Sequence, residues 1–345
     1  MDVRRKLILT LAFLALGVGA TPTTTASAHR PPKAPVAEEL ATFAADGCVG
    51  GCGSGSTVGP DGALYVTDGK AGSVLRIDPW TGAVSTFVSG LPPAIEAVGI
   101  GGAMDVAFLG HRAYVLVTLV GPFFGQTDVV DGIYRIEDDG SATPIADIGA
   151  WSTLNPPVPD FFIDSGVQYA MQPFRGGFLV TDGHHNRVLR VDLDGEISEV
   201  VAFPDIVPTG LAVSGKKVYM SQAGPVPHLP ENGKILAFKA KSPHPTEIAS
   251  GASLLVDVEF GPGHQLYALS QGFWDLPPIE ANEGAPASPD SGKLVKVDRH
   301  GGFTTVIEGL DRPTSLEFIE NTAFVVTLTG KVIRIDNVSS HHDDD

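Results

Sequence analysis

Leu64–Asp78 reads LYVTDGKAGSVLRID, and Phe178–Asp192 reads FLVTDGHHNRVLRVD, the same phrase 114 positions later with eight of fifteen residues identical. Each phrase is an apolar run ending in Thr-Asp, a polar turn, and a second apolar run. Fainter copies lie between and beyond them, so a periodic architecture has to be considered first. The copies begin at STVGPDGALYVTD, AMDVAFLGHRAYVLVT, YAMQPFRGGFLVTD, TGLAVSGKKVYMSQ, LLVDVEFGPGHQLYALS and TSLEFIENTAFVVT. Each holds about four short β-rich runs separated by Gly, Pro, Asp and Asn. The PDG, DDG and LDG triplets supply glycines for positive φ and Asp side chains for local turns. No stretch sustains a 3.6-residue apolar period, so almost no helix is expected.

The expected fold is all-β, a six-bladed β-propeller of four-stranded antiparallel blades. An open array of repeats is the competing architecture. The sixth copy stops one strand short, and ELATFAADG at 39–47 resembles the fourth-strand phrase STFVSG at 85–90. An N-terminal strand completing the last blade would hide two sheet edges that are otherwise prone to pairing.

The chain ends read differently from the repeats. Residues 1–28 hold a basic start, an apolar run of about 14 residues and the small-x-small triplet Ala26-Ser27-Ala28, the order of a secretory signal peptide. The run is short for a membrane span, which sets export against an uncleaved anchor. Residues 29–38 form a proline-rich lead-in, 39–338 the propeller, and 339–345 (SSHHDDD) a polar tail that has nothing to bury. Removing three basic residues and one acidic residue with the signal takes the formal charge from −17 to −19. Such a surface repels nucleic acid and anionic lipid headgroups, so neither is an expected partner. A secreted product is expected to meet a small molecule or an extracellular protein.

The repeat form PDGALYVTD…GSVLRIDP.TG…TF..GL resembles the ScyD/ScyE family of exported propellers, and more widely the NHL and gluconolactonase-like propellers. The resemblance spans the expected mature chain. It implies a six-bladed secreted propeller whose biochemical role is unassigned, and it lends no catalytic residues. The first unit departs from the pattern by entering through GCVGGCGSGSTV.

Three connections between second and third strands are long: 119–131, 222–233 and 271–292. Long loops on a repeat scaffold often carry function. These hold Phe123, Phe124, His228, Phe273 and Trp274 beside Asp128, Glu231, Asp275, Glu280 and Glu283. Phe124, His228 and Trp274 are therefore candidates to bind a ligand, the alternative being that the aromatics pack the loops onto the blades.

Aligned inner strands place Gly55, Asp105, Tyr169, Gly210, Asp257 and Ser315 at one position. Asp105 and Asp257 are three blades apart and would face each other across the axis, with Tyr169 and Ser315 as hydrogen-bonding company. Two converging carboxylates suit Ca²⁺ or another divalent cation, or they accept N–H bonds from the next blade. No cofactor is required by anything else in the sequence. A gluconolactonase-like enzyme would need a fuller ligand set than Gly55 and Gly210 supply. A His-plus-Glu lyase arrangement would draw on His228 with Glu231, or on His184 and His185. No GxSxG, HExxH, P-loop or Rossmann motif occurs. Cys48 and Cys52 are close enough in an exported chain to form a small disulfide, with free thiols as the alternative.

Overall fold

In the computed structural model, residues 33–339 are described, apart from 45–47, 49, 280, 281 and 283. The signal and tail readings at 1–28 and 340–345 lie outside the described residues. Among them, no helix is long and apolar enough to cross a membrane.

Among the described residues, twenty-four strands form six four-stranded sheets. β1 (Val36–Thr42) precedes the ring. The first blade is β2 (Ser56–Val58), β3 (Leu64–Asp68), β4 (Ser73–Ile77) and β5 (Val84–Ser89). The second is β6 (Gly102–Leu109), β7 (Arg112–Thr118), β8 (Gly132–Ile136) and β9 (Ala142–Asp147). The third is β10 (Gln168–Phe174), β11 (Gly177–Asp182), β12 (Arg187–Asp192) and β13 (Ile197–Ala202). The fourth is β14 (Pro208–Ser214), β15 (Lys217–Gln222), β16 (Lys234–Lys239) and β17 (Ser242–Ser250). The fifth is β18 (Leu255–Phe260), β19 (Leu266–Ser270), β20 (Gly292–Val297) and β21 (Phe303–Leu310). β22 (Pro313–Ile319), β23 (Thr322–Thr327) and β24 (Lys331–Asp336) make the sixth blade, with β1 as its outer strand.

The β1–β24 pairing runs antiparallel from Val36 opposite Asp336 to Thr42 opposite Lys331. The closing strand therefore starts at Val36, and residues 36–38 of the lead-in belong to it. Lys331 Nζ to Glu39 Oε2 at 2.8 Å ties the two ends of the chain together at the surface. Ser339, the first residue of the polar tail, donates its N–H to Asn321 Oδ1 at 2.9 Å.

Turn chemistry follows the expected triplets: Gly62, Gly140 and Gly195 sit at φ of 79°, 83° and 89°, values an L side chain rarely adopts. The second strands carry the repeated phrase and are buried on both faces, as β3 and β11 show. Apolar side chains pack between adjacent blades rather than around one centre. Tyr114, Leu116 and Ile133 of the second blade meet Met171, Phe178 and Leu189 of the third. Neighbouring inner strands touch in the order β2, β6, β10, β14, β18, β22 and back to β2, which closes the ring.

Helix is scarce, as expected. Ile148–Leu154, between β9 and β10, forms α1, capped by the Asp147 carboxylate accepting from Ala150 N at 2.8 Å.

Candidate functional site

Inner-strand equivalence can be read from conserved bonding. Backbone N–H groups of Gly55, Ala170 and Gly210 donate to the hydroxyls of Thr67, Thr181 and Ser221 at 2.9, 3.0 and 2.9 Å. The third-blade member of the ring is thus Ala170, and Tyr169 lies one residue earlier. A β-bulge lies between Gln168 and Met171. Bulges recur between Ala103 and Asp105, and between Leu255 and Asp257.

Asp105 and Asp257 make the same bonds in opposite blades. Asp105 Oδ2 accepts from Met171 N at 2.7 Å and Oδ1 from Val106 N at 2.8 Å. Asp257 Oδ2 accepts from Leu316 N and Oδ1 from Val258 N, both at 2.8 Å. On the preceding blade a Cβ at Gly55 would collide with the Asp105 carboxyl, and one at Gly210 with the Asp257 carboxyl. Glycine, aspartate and a donated N–H therefore occur in succession twice around the ring. Ser315 joins this layer through Ser56, its Oγ accepting from Ser56 N at 3.0 Å.

Below that layer the inner strands enclose a narrow cavity of about 60 Å³ lined by Asp105, Asp257, Glu259 and Glu317. Burial pushes Asp105 up to about 8 and Asp257 to about 7. Glu259 rises to about 8 through burial, then the Asp257 charge. Glu317 is raised well above the carboxylate range by burial and by the neighbouring Glu259, Asp257 and Asp105. Glu259 and Glu317 were not anticipated. The signal for them was period two: each follows Asp257 or Ser315 by two positions on the same strand and so shares its face.

This donor set does not fit a hard cation. Both oxygens of Asp105 and Asp257 already accept N–H bonds, and burial favours their protonated forms. No cluster of three or more His, Cys, Asp or Glu suited to a metal occurs among the described residues.

Above the carboxyls the channel opens into a mouth cavity of about 1110 Å³. Its floor is the set one residue before the aspartate ring: Ser54, Met104, Tyr169, Thr209, Val256 and Thr314. No carboxylate stands at those six positions. Two of the three long loops reach the cavity, through Ala223 and His228 and through Gln271 and Ala285. The 119–131 loop does not. Phe124 is absent from the lining and packs edge-on against Phe123 at 5.1 Å. Trp274 is 8% exposed, packed with Val207, Ala223 and Leu254 beneath the mouth, its indole N–H donating to Ala285 O at 3.1 Å. Glu280 and Glu283 lie outside the described residues.

One wall was missed. The β5–β6 connection contributes Ile95, Glu96, Val98 and Ile100, beside Gly50 and Gly51. Gly50 and Gly51 sit inside the loop closed by the Cys48–Cys52 disulfide. A Cβ at Gly51 would come within 2.8 Å of Gly99 O, so glycine lets the two loops meet. Nothing in PPAIEAVGI announces a lining role, because it lies outside the repeat.

Two histidines face the cavity. His184 stacks on Phe161 with rings 4.8 Å apart and its Nε2 lies 3.0 Å from the Tyr169 hydroxyl. Burial lowers it to about 4. His228 Nδ1 donates to Gly224 O at 2.7 Å while Trp274 meets the ring edge-to-face at 5.6 Å. Burial lowers His228 as well, so its Nε2 carries a lone pair near neutral pH. Glu231 is not among the lining residues, so no His228–Glu231 pair faces the cavity. His185 turns away from the mouth, with Nε2 3.0 Å from Ile163 O and Nδ1 between Asp182 Oδ2 at 3.0 Å and an Arg187 nitrogen at 2.9 Å.

No protein-family model matches this sequence, nor does any curated protein. Solved structures do resemble it. Virginiamycin B lyase from Staphylococcus aureus aligns at 13% identity with a TM-score of 0.52, covering 88% of this chain and 99% of the lyase. A gluconolactonase from Xanthomonas campestris aligns at 14% identity and 0.59, covering 89% and 95%. The PQQ-bound aldose sugar dehydrogenase from Streptomyces coelicolor aligns at 14% and 0.55, covering 89% and 99%. At these identities the likeness establishes the propeller architecture, which hosts different chemistries.

Proposed function

We propose that this protein is an exported, non-catalytic binding propeller that holds a small molecule in the mouth of its channel, as its resemblance to the ScyD/ScyE propellers also suggests. The observation that carries this reading is the mouth cavity itself: large, walled mainly by apolar side chains, and furnished with a few fixed polar groups. That is the composition of small-molecule sites. A concave cavity favours a small molecule over a protein partner. The disulfide accords with an extracellular setting.

Native mass spectrometry of the secreted protein tests the proposal. A co-purifying small molecule is expected, and Val98→Trp, which fills the cavity from a loop, should expel it without lowering Tm. Retention of the ligand by the filled variant would overturn the assignment.

The hydrogen bond between Tyr169 and His184 favours one alternative, a lyase or lactonase using this pair for proton transfer. Turnover of a lactone or lyase substrate that disappears in both Tyr169→Phe and His184→Asn would establish it. A divalent-cation lactonase is less well supported, since the floor of the mouth lacks carboxylates.

A further inference from the structure

The mouth has two unlike walls. The chain carries 40 Asp and Glu against 23 Lys and Arg, yet the residues lining the cavity include Lys70 and Arg312 against a single carboxylate, Glu96. The cavity lining thus carries one more basic than acidic side chain, where low-dielectric walls concentrate the effect of each charge.

The two cations occupy one side, which also holds Glu96, since Ala94 N donates to Gly69 O at 2.8 Å beside Lys70. Lys70 lies in the β3–β4 turn of the first blade, and Arg312 precedes β22 of the sixth. Backbone bonds fix both against the disulfide loop: Lys70 N donates to Gly51 O at 3.0 Å, Cys52 N to Leu328 O at 3.3 Å, and Leu328 N to Arg312 O at 3.0 Å. Arg312 also pairs with Asp311 at 3.1 Å, so Lys70 contributes the larger share of the positive field.

The third and fourth blades stand across the axis from the sixth and first, and their wall is uncharged near neutral pH. It presents the His228 Nε2 lone pair and the Tyr169–His184 pair, each ring locked by an aromatic neighbour. Groups held this way accept or exchange a hydrogen bond with little ordering cost. Met104 of the second blade and Val256 of the fifth supply an apolar floor between the two walls.

We infer that the ligand is an amphipathic anion with an apolar body, a carboxylate or similar acidic group at one end and a hydroxyl at the other. Its acidic end meets Lys70 and Arg312, and its hydroxyl donates to His228 Nε2 or joins the Tyr169–His184 pair. This rests on the binding role of the mouth and adds the ligand's chemical class and its orientation.

Three fluorescent probes separate the two ideas: 6-hydroxy-2-naphthoate, 2-naphthoate and 2-naphthol, titrated into the intact protein at pH 7. The hydroxy-acid should bind about tenfold or more tighter than either single-group probe, the scale of one well-made polar contact. A Lys70→Gln/Arg312→Gln variant should lose that factor for the two carboxylates and keep its affinity for 2-naphthol. His228→Phe should do the reverse, weakening both hydroxyl probes and sparing 2-naphthoate. Equal binding of all three probes, or indifference to the charge-removing variant, would overturn the ligand class while leaving the mouth as a binding site. Failure of every probe to bind a folded protein would remove both.

Discussion

Two groups of buried carboxyls in this propeller show opposite behaviour. Asp182, behind the mouth, faces Arg187, which is 2% exposed and donates from Nε to Asp182 Oδ2 at 2.9 Å. The same guanidinium reaches Asn155 O at 2.7 Å and Ser152 Oγ at 3.0 Å, and lies 4.9 Å from the Trp151 ring. Burial alone would raise Asp182, but His185 and Arg187 outweigh it and hold the carboxyl below its ordinary range. In the channel, Asp105, Asp257, Glu259 and Glu317 have N–H donors or one another for company, and burial raises them all. Depth is common to both groups. The difference is a cation, and it decides whether a buried carboxyl holds its charge or its proton.

The sharpest way to break the contrast is Arg187→Met. Stranding the Asp182 charge should cost about 3–5 kcal/mol, as removal of one partner from a buried pair does, and Asp182→Asn added to it should recover part of the loss. Urea unfolding of the single and double variants measures this; a single variant as stable as the parent would show that the ion pair contributes nothing.

Next in size is pH. The channel acids have raised values in the folded protein, so their contribution is complete at low pH and is lost as pH rises through about 7 to 8. Asp182 has the opposite sign, and its contribution is lost as pH falls through its lowered value. Tm should therefore fall by about 5 °C or more between pH 6 and pH 9, given some 2–4 °C per kcal/mol at this size. Asp105→Asn, which keeps the shape and cannot ionise, should flatten that slope. A slope unchanged in the variant would place the titration elsewhere.

Gly55→Ala should cost about 1–3 kcal/mol through its collision with Asp105, an overpacking effect. Gly210→Ala should cost the same through Asp257, since the two positions repeat one arrangement. Differing losses in thermal unfolding would show that the two halves of the ring are not equivalent in energy. The smallest effect belongs to Phe124→Ala. It should leave occupancy of the mouth unchanged in native mass spectrometry, because the side chain is absent from the cavity.

The blades were legible because turn chemistry and strand phrases repeat together, six times over. PDG, DDG and LDG each mark a hairpin turn within a blade, and the strand phrases of each repeat confirm the others. The opposition of Asp105 and Asp257 was legible for the same reason, since ring symmetry converts sequence spacing into direction. Tyr169 was displaced by one position, because the equivalence of Ala170 shows in its backbone bond to Thr181 and not in residue type. Trp274 was a candidate for the cavity on residue type, but type does not reveal that its ring lies under the loop with its N–H satisfied. The β5–β6 wall and the cationic pair stayed hidden because they lie on connections, where position depends on what the ring brings together.

The clasp between β1 and β24 has a kinetic consequence. Val36 is made about 300 residues before its partner Asp336. Until then the sixth sheet has no outer strand, and none of the five blades before it can complete the circle. Contacts this distant in sequence slow folding, because the closure entropy must be met before they form. The ring therefore closes only after β24 has been made, and until then β1 waits as an unpaired edge.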